Sequence, residues 1–156
     1  MVDSNTTEEI RKRNREVVYK YMTCRGEDRL QRHSLFVEDG TGGLYSTETG
    51  ESIVIRGRDR LGEHAKWSLK AFPDWQWTNV KIFGTDDPNF FWVECDGKGL
   101  IRYPGYPDGE YTNHFMHSFE FQDGLIVRQR EFMNPCNQFR ALGIPVPTIQ
   151  RGNIPR

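Results

Sequence analysis

Over residues 4–24 the chain reads SNTTEEIRKRNREVVYKYMTC, with apolar Ile10, Val17, Val18, Tyr21 and Met22 spaced at helical intervals in a charged background. That spacing predicts an amphipathic helix, capped by Thr6 or Thr7 and carrying acids in its first turn. After Gly26, GEDRLQRHSLF predicts a shorter second helix. VEDGTGGLYSTETGESIVIRG predicts a strand, a turn at the glycines and a second strand. In RDRLGEHAKWSLKAF, the residues Leu61, His64, Ala65, Ser68, Leu69 and Phe72 recur at three- and four-residue steps. They predict a third helix that ends at Pro73. The period then falls to two. Four strands follow, WQWTNVKIFG, NFFWVECDGKGLIRY, EYTNHFMHSFEF and LIVRQREFM, with turns at 86–89 and Asp123-Gly124 and a Pro/Gly loop around 103–109. The proline-bearing end, ALGIPVPTIQRGNIPR, cannot form a long helix.

Helices followed by a long antiparallel meander define an α+β class. The architecture expected is a cone-shaped curved antiparallel sheet packed with N-terminal helices, enclosing a pocket. At 156 residues the chain is read as a single domain, 1–156.

Within that frame, LIVRQREFM poses a problem. Alternation puts Leu125, Val127, Gln129, Glu131 and Met133 on one face, and Ile126, Arg128, Arg130 and Phe132 on the other. The arginines claim the outer face, so a carboxylate points inward among apolar neighbours. Burying it without a partner is costly, so Glu131 is either salt-bridged or has a chemical task. By the same alternation Tyr111, Asn113, Phe115 and His117 face inward. His64 and Ser68, four apart on the third helix, face the sheet. Glu131, Tyr111, His64 and Ser68 are thus expected to converge. A carboxyl in an apolar pocket has a pKa raised toward neutrality and suits acid–base work beside a histidine. The ordinary structural reading of each stays open: a core histidine, a serine bonded to its own helix, a packing tyrosine.

Composition narrows the function classes. Aromatic residues reach 13%, many within 72–92 and 103–121, which suits a ring-walled cavity. The net charge of −1 without a basic block disfavours nucleic acid and anionic membranes as partners. The start has no apolar core of signal-peptide length, and no stretch is long enough to span a membrane. Cys24, Cys95 and Cys136 are odd in number and irregularly spaced, and are read as reduced cytoplasmic thiols. His114 and His117 fall on opposite strand faces, so no shared metal is expected. GTGG at 40–43 is read as a turn lacking the helix a phosphate cradle needs.

The element order resembles the fold of nuclear transport factor 2, ketosteroid isomerase and the polyketide cyclases. RLQRHSLFVEDGTGGL, EHAKWSLKAFPDWQW, TDDPNFFWVECDGKG, IRYPGYPDGEYTNHFMHSFEF, REFMNP and RALGIPVP resemble the phenazine biosynthesis protein A/B family across nearly the whole chain. The resemblance implies a cofactor-independent, metal-free enzyme of phenazine biosynthesis. It would condense two molecules of 6-amino-5-oxocyclohex-2-ene-1-carboxylate head to tail into a tricyclic precursor. It also implies Glu131 and His64 as the acid–base pair, Arg32, Ser68 and Tyr111 as substrate-binding residues, and a homodimer or a mixed dimer with a paralogue. Because the chain keeps both His64 and Glu131, it resembles the catalytically competent B-like type. Two rival readings stand beside this one. An isomerase or cyclase would need an oxyanion hole opposite the carboxylate. A binding module without chemistry would have Glu131 salt-bridged away.

Overall fold

Residues 4–156 are described in a computed structural model. Helix α1 spans Ser4–Thr23, so it begins before Thr6 and Thr7, which lie inside it and are not its cap. The segment Gly26–Leu35 is helical as expected, but wound as a 3-10 helix. Strands β1 (Phe36–Leu44) and β2 (Ile53–Arg56) form the first hairpin. The glycine run is not its turn. β1 passes straight through 40–43, and the bend falls nearer Gly50, whose φ is +80°. The glycines serve close approach instead: a Cβ on Gly43 would stand 2.1 Å from the Ile53 carbonyl oxygen.

Helix α2 (Arg58–Ala71) leads into β3 (Gln76–Gly84), β4 (Phe90–Ile101), β5 (Gly109–Gln122) and β6 (Leu125–Met133). A short helix α3 (Pro135–Ala141) follows, which the pattern did not predict. Asn134 caps it by accepting from the Cys136 N–H at 3.0 Å, and a proline occupies its first turn.

The six strands make one curved sheet in the order β2-β1-β6-β5-β4-β3. Every neighbouring pair is antiparallel except β1 and β6, which run parallel. This closes the long meander back onto the first hairpin and places Leu44 beside Glu131. The inner face carries the core: Phe91, Val93, Phe115, Phe119 and Ile126 are nearly or wholly buried, with Val18 and Met22 of α1 over them.

Ile126 corrects the alternation. It was expected outside, yet is fully buried, while Leu125 is exposed. The register shows why. Ile126 pairs with Phe121, but the next pair is Glu120 with Arg128, leaving Val127 extra. That β-bulge shifts the phase of the strand by one residue. Beyond it the alternation holds, and Gln129, Glu131 and Met133 face inward with Glu131 opposite His117. On the outer face Arg128 pairs with Glu120. Arg130 donates to Ser118 Oγ at 2.8 Å and lies over the rings of Trp92 and Phe132, each 5.4 Å away. The Trp92 and Phe132 rings of the outer face are therefore plated by a guanidinium, and Ile126 is buried on the other side.

Candidate active site

The curved sheet, the 3-10 helix and α2 enclose a cavity of about 240 Å³. All five residues singled out from the sequence, Arg32, His64, Ser68, Tyr111 and Glu131, line it. His64 differs from expectation in depth. Its ring stands exposed at the rim, 5.3 Å from that of Trp67, and does not sink into the sheet-facing stripe. Desolvation at the rim, and then the Arg32 charge, hold its pKa below the ordinary histidine value, so it is neutral at neutral pH.

Glu131 lies deeper. Among the described residues no side chain hydrogen-bonds or ion-pairs with its carboxyl group, so the salt-bridged alternative is not what the site contains. Desolvation raises its pKa to about 7, against a smaller lowering by Arg32. At neutral pH this carboxyl exists in both protonation states, as an acid–base group requires.

Arg32 is one of two arginines, with Arg29, that line the cavity. Its Nε and Nη2 lie 3.3 and 3.2 Å from Cys24 Sγ, and its guanidinium sits 4.6 Å above the Tyr21 ring. Among the described residues no carboxylate pairs with it. A guanidinium held by a thiol and a ring keeps donors free for a ligand carboxylate. Burial pushes the Tyr21 hydroxyl up to about 12, so it stays protonated.

Ser68 takes its place from a residue that sequence reasoning missed. Arg29, almost fully buried, donates from Nη1 to the Phe72 carbonyl at 2.6 Å. Its Nη2 reaches the Ser68 carbonyl at 3.2 Å and Ser68 Oγ at 3.3 Å. A positive charge at the C-terminal end of α2 adds donors to carbonyls that already accept from the backbone, Ser68 from the Phe72 N–H at 2.8 Å and Phe72 from the Trp75 N–H at 3.4 Å, and it complements the helix dipole. Ser68 Oγ accepts from Arg29 and retains its own proton to donate into the cavity. Tyr111, also buried, has its pKa raised by desolvation, and its hydroxyl accepts from Asn113 Nδ2 at 2.8 Å. Its hydroxyl proton is likewise available. Tyr103, held by Gln138 Nε2 at 3.1 Å, adds a further wall that arrives with the unpredicted helix α3. His114 and His117 do lie on opposite faces: His114 contacts Glu94 and Asp96 outside, and His117 is buried inside.

The arrangement thus offers an apolar, ring-walled cavity, one partly protonated carboxyl, a neutral imidazole at the mouth, an uncommitted guanidinium and two hydroxyl donors. Comparison with known proteins points to one family over nearly the whole chain. The family description "Phenazine biosynthesis protein A/B" matches residues 3–156. The chain is 66% identical over 147 residues to phenazine biosynthesis protein PhzB2 of Pseudomonas aeruginosa, covering 94% of this chain and 91% of that protein. It is 57% identical over 147 residues to PhzA2 of the same organism, with the same coverage. The crystal structure of a phenazine biosynthesis-related protein, phzb2 from P. aeruginosa, superposes with a TM-score of 0.97 at 63% identity, covering 99% of this chain and 100% of that one.

Proposed function

This chain belongs to the phenazine biosynthesis protein A/B family, and from that premise we propose that it catalyses the head-to-tail condensation of two 6-amino-5-oxocyclohex-2-ene-1-carboxylate molecules. The observation that carries the reading is the Glu131 carboxyl, unpaired among the described residues and with a pKa near 7 in an apolar cavity. Each condensation joins an amine nitrogen to a ketone carbon. The carbonyl π electrons move to oxygen, which takes a proton, and nitrogen loses one, giving a carbinolamine. Loss of water then forms the C=N bond. Two such closures release two waters and produce the tricycle.

Protonated Glu131 supplies the proton to the carbonyl oxygen or departing hydroxyl and recovers one from nitrogen. Neutral His64 at the rim relays the other proton. Arg32 holds one carboxylate by two donors, and Ser68 and Tyr111 donate hydrogen bonds to the other polar groups. Amines and ketones already react in water, so the enzyme acts by aligning two molecules and moving protons. The higher identity to the B-type relative, 66% against 57%, supports a B-like role. We further propose that the working unit is a homodimer, or a mixed dimer with an A-type paralogue, formed through the outer sheet face around Trp92 and Phe132.

The test is to time tricycle formation from freshly generated amino-ketone. Wild-type protein should outpace buffer, and Glu131→Gln, folded, should fall to the buffer rate. A loss of about 10²-fold or more would fit general acid–base catalysis, although a fast background caps the observable range. Full retention of rate by the variant would sink the acid–base role.

A further inference from the structure

Gln129 stands on β6 two residues before Glu131, faces the same cavity and is 4% exposed. Its Nε2 is 3.0 Å from Nδ1 of His117 on β5. His117 is fully buried, and its ring stacks between Phe115 and Phe119 while meeting Trp77 edge-on at 4.7 Å. Burial, and then the Arg32 charge, depress its pKa to about 3, so the ring is neutral; in the tautomer protonated at Nε2, Nδ1 accepts from the amide N–H. In that tautomer, with the ring held by its neighbours, the Nε2 end of the Gln129 amide faces His117 and the other end faces away from it.

That end is Oε1. A Cβ built on Gly42 would stand 3.1 Å from Gln129 Oε1 and 3.1 Å from Leu61 Cδ2, both at the cavity wall. Among the described residues Oε1 has no hydrogen-bond donor. It is also not sealed from the cavity, in contrast to His117 Nε2 and Trp77 Nε1, which are buried without partners. The other polar groups described at this site mostly donate: Arg32, Ser68 and Tyr111 all offer protons. They suit carboxylates and carbonyls and leave the amines of the substrate with few acceptors, the reacting carboxyl and the neutral His64 at the mouth.

We propose that Gln129 Oε1 is the amine-holding acceptor of the site, with His117 as its positioning residue. This inference rests on the amine–ketone condensation proposed above. An N–H of the attacking amine bonds to Oε1, which turns the nitrogen lone pair toward the ketone carbon of the second molecule. As the C–N bond forms, nitrogen gains positive charge, and the bond to Oε1 strengthens as it does so. The bond from Nε2 to His117 polarises the amide in the direction that makes Oε1 the better acceptor.

The test uses three stable ring carboxylates as probes: 2-aminocyclohexanecarboxylate, cyclohexanecarboxylate and 3-oxocyclohexanecarboxylate, titrated by calorimetry. Gln129→Met, close in volume but without the acceptor, should weaken the amino probe about fivefold, the size of one ordinary hydrogen bond. The other two should change by less than about twofold. Gln129→Glu keeps an acceptor in place and should preserve the preference for the amino probe. It decides the matter if the Met variant fails to fold. Equal losses for all three probes, a loss confined to the oxo probe, or a vanished preference in Gln129→Glu would each overturn the inference. Those results would leave the condensation reading intact, because that reading stands or falls on Glu131 kinetics. Failure of wild-type protein to bind any of the three would overturn the cavity assignment and this inference together.

Discussion

Glutamate ordinarily releases its proton near pH 4.5, whereas Glu131 holds it until about 7 because the cavity withholds the water that would stabilise the anion. Between those values the folded protein carries a proton that the unfolded chain has lost. Stability contributed by this group is therefore present at low pH. It declines as pH rises from about 4.5 through about 7, and is flat beyond. Glu131→Gln, which never ionises, lacks this dependence. Urea unfolding of both proteins at pH 5 and pH 8 should show the wild type losing on the order of 2 kcal/mol relative to the variant across that interval. An unchanged difference would mean that Glu131 is solvated like a surface acid. The same shift predicts a rate that falls as pH rises past 7, when the protonated form is exhausted.

At the scale of elements, Asn113 decides how strand β5 meets helix α3. It is 6% exposed, and its Nδ2 donates to the Tyr111 hydroxyl and to the Asn134 carbonyl, each at 2.8 Å. Its Oδ1 accepts from Asn137 Nδ2 at 3.2 Å. Oδ1 also accepts from the His114 N–H at 2.9 Å, so leucine here removes these bonds and leaves buried polar groups open. Asn113→Leu should cost about 1–3 kcal/mol or more in urea unfolding, and should loosen α3 before the sheet in hydrogen exchange. Much of this was legible in the sequence. Alternation along β5 placed Tyr111, Asn113 and His117 inward, and three- and four-residue steps placed His64 and Ser68 toward the cavity. Helix α3 was not legible, because seven residues that begin at a proline and run into a proline-bearing tail carry too little periodicity. Over ten residues, likewise, periodicity does not separate a 3-10 helix from an α-helix. Arg29 was hidden because it lies in a charged segment that reads as solvated. What buries it is the end of α2, 39 and 43 residues further on.

For the whole molecule, the parallel pairing of β1 with β6 leaves β2 and β3 as the free edges and the outer face as the broad remaining surface. That face is mixed: Met116 is 37% exposed, Trp92 and Phe132 lie half-buried under Arg130, and charged pairs flank them. A surface alternating rings and charges suits self-association by matched patches more than aggregation. Sedimentation at micromolar concentration should show a dimer. Arg130→Ala, which uncovers the rings and frees Ser118, should shift the dimer constant more than it shifts monomer unfolding. A monomer at that concentration would remove the basis for the dimer.

The bulge at Val127 gives strand β6 one residue more than its neighbour β5 needs. On either side of it the pairing is already regular, Ile126 with Phe121 and Arg128 with Glu120. The strand thus has a dispensable position, and chain length rather than side-chain chemistry sets which deletions it tolerates. Excising Val127 should rejoin two halves that keep their partners, with Ile126 still in the core and Glu131 still opposite His117. Excising Arg130 instead should pull every later residue across the sheet and turn the carboxyl out of the cavity. The first deletion should retain the condensing activity proposed for the protein with some loss of stability, and the second should abolish it. An inactive, well-folded Val127 deletion would show that the bulge also sets the angle of the strand.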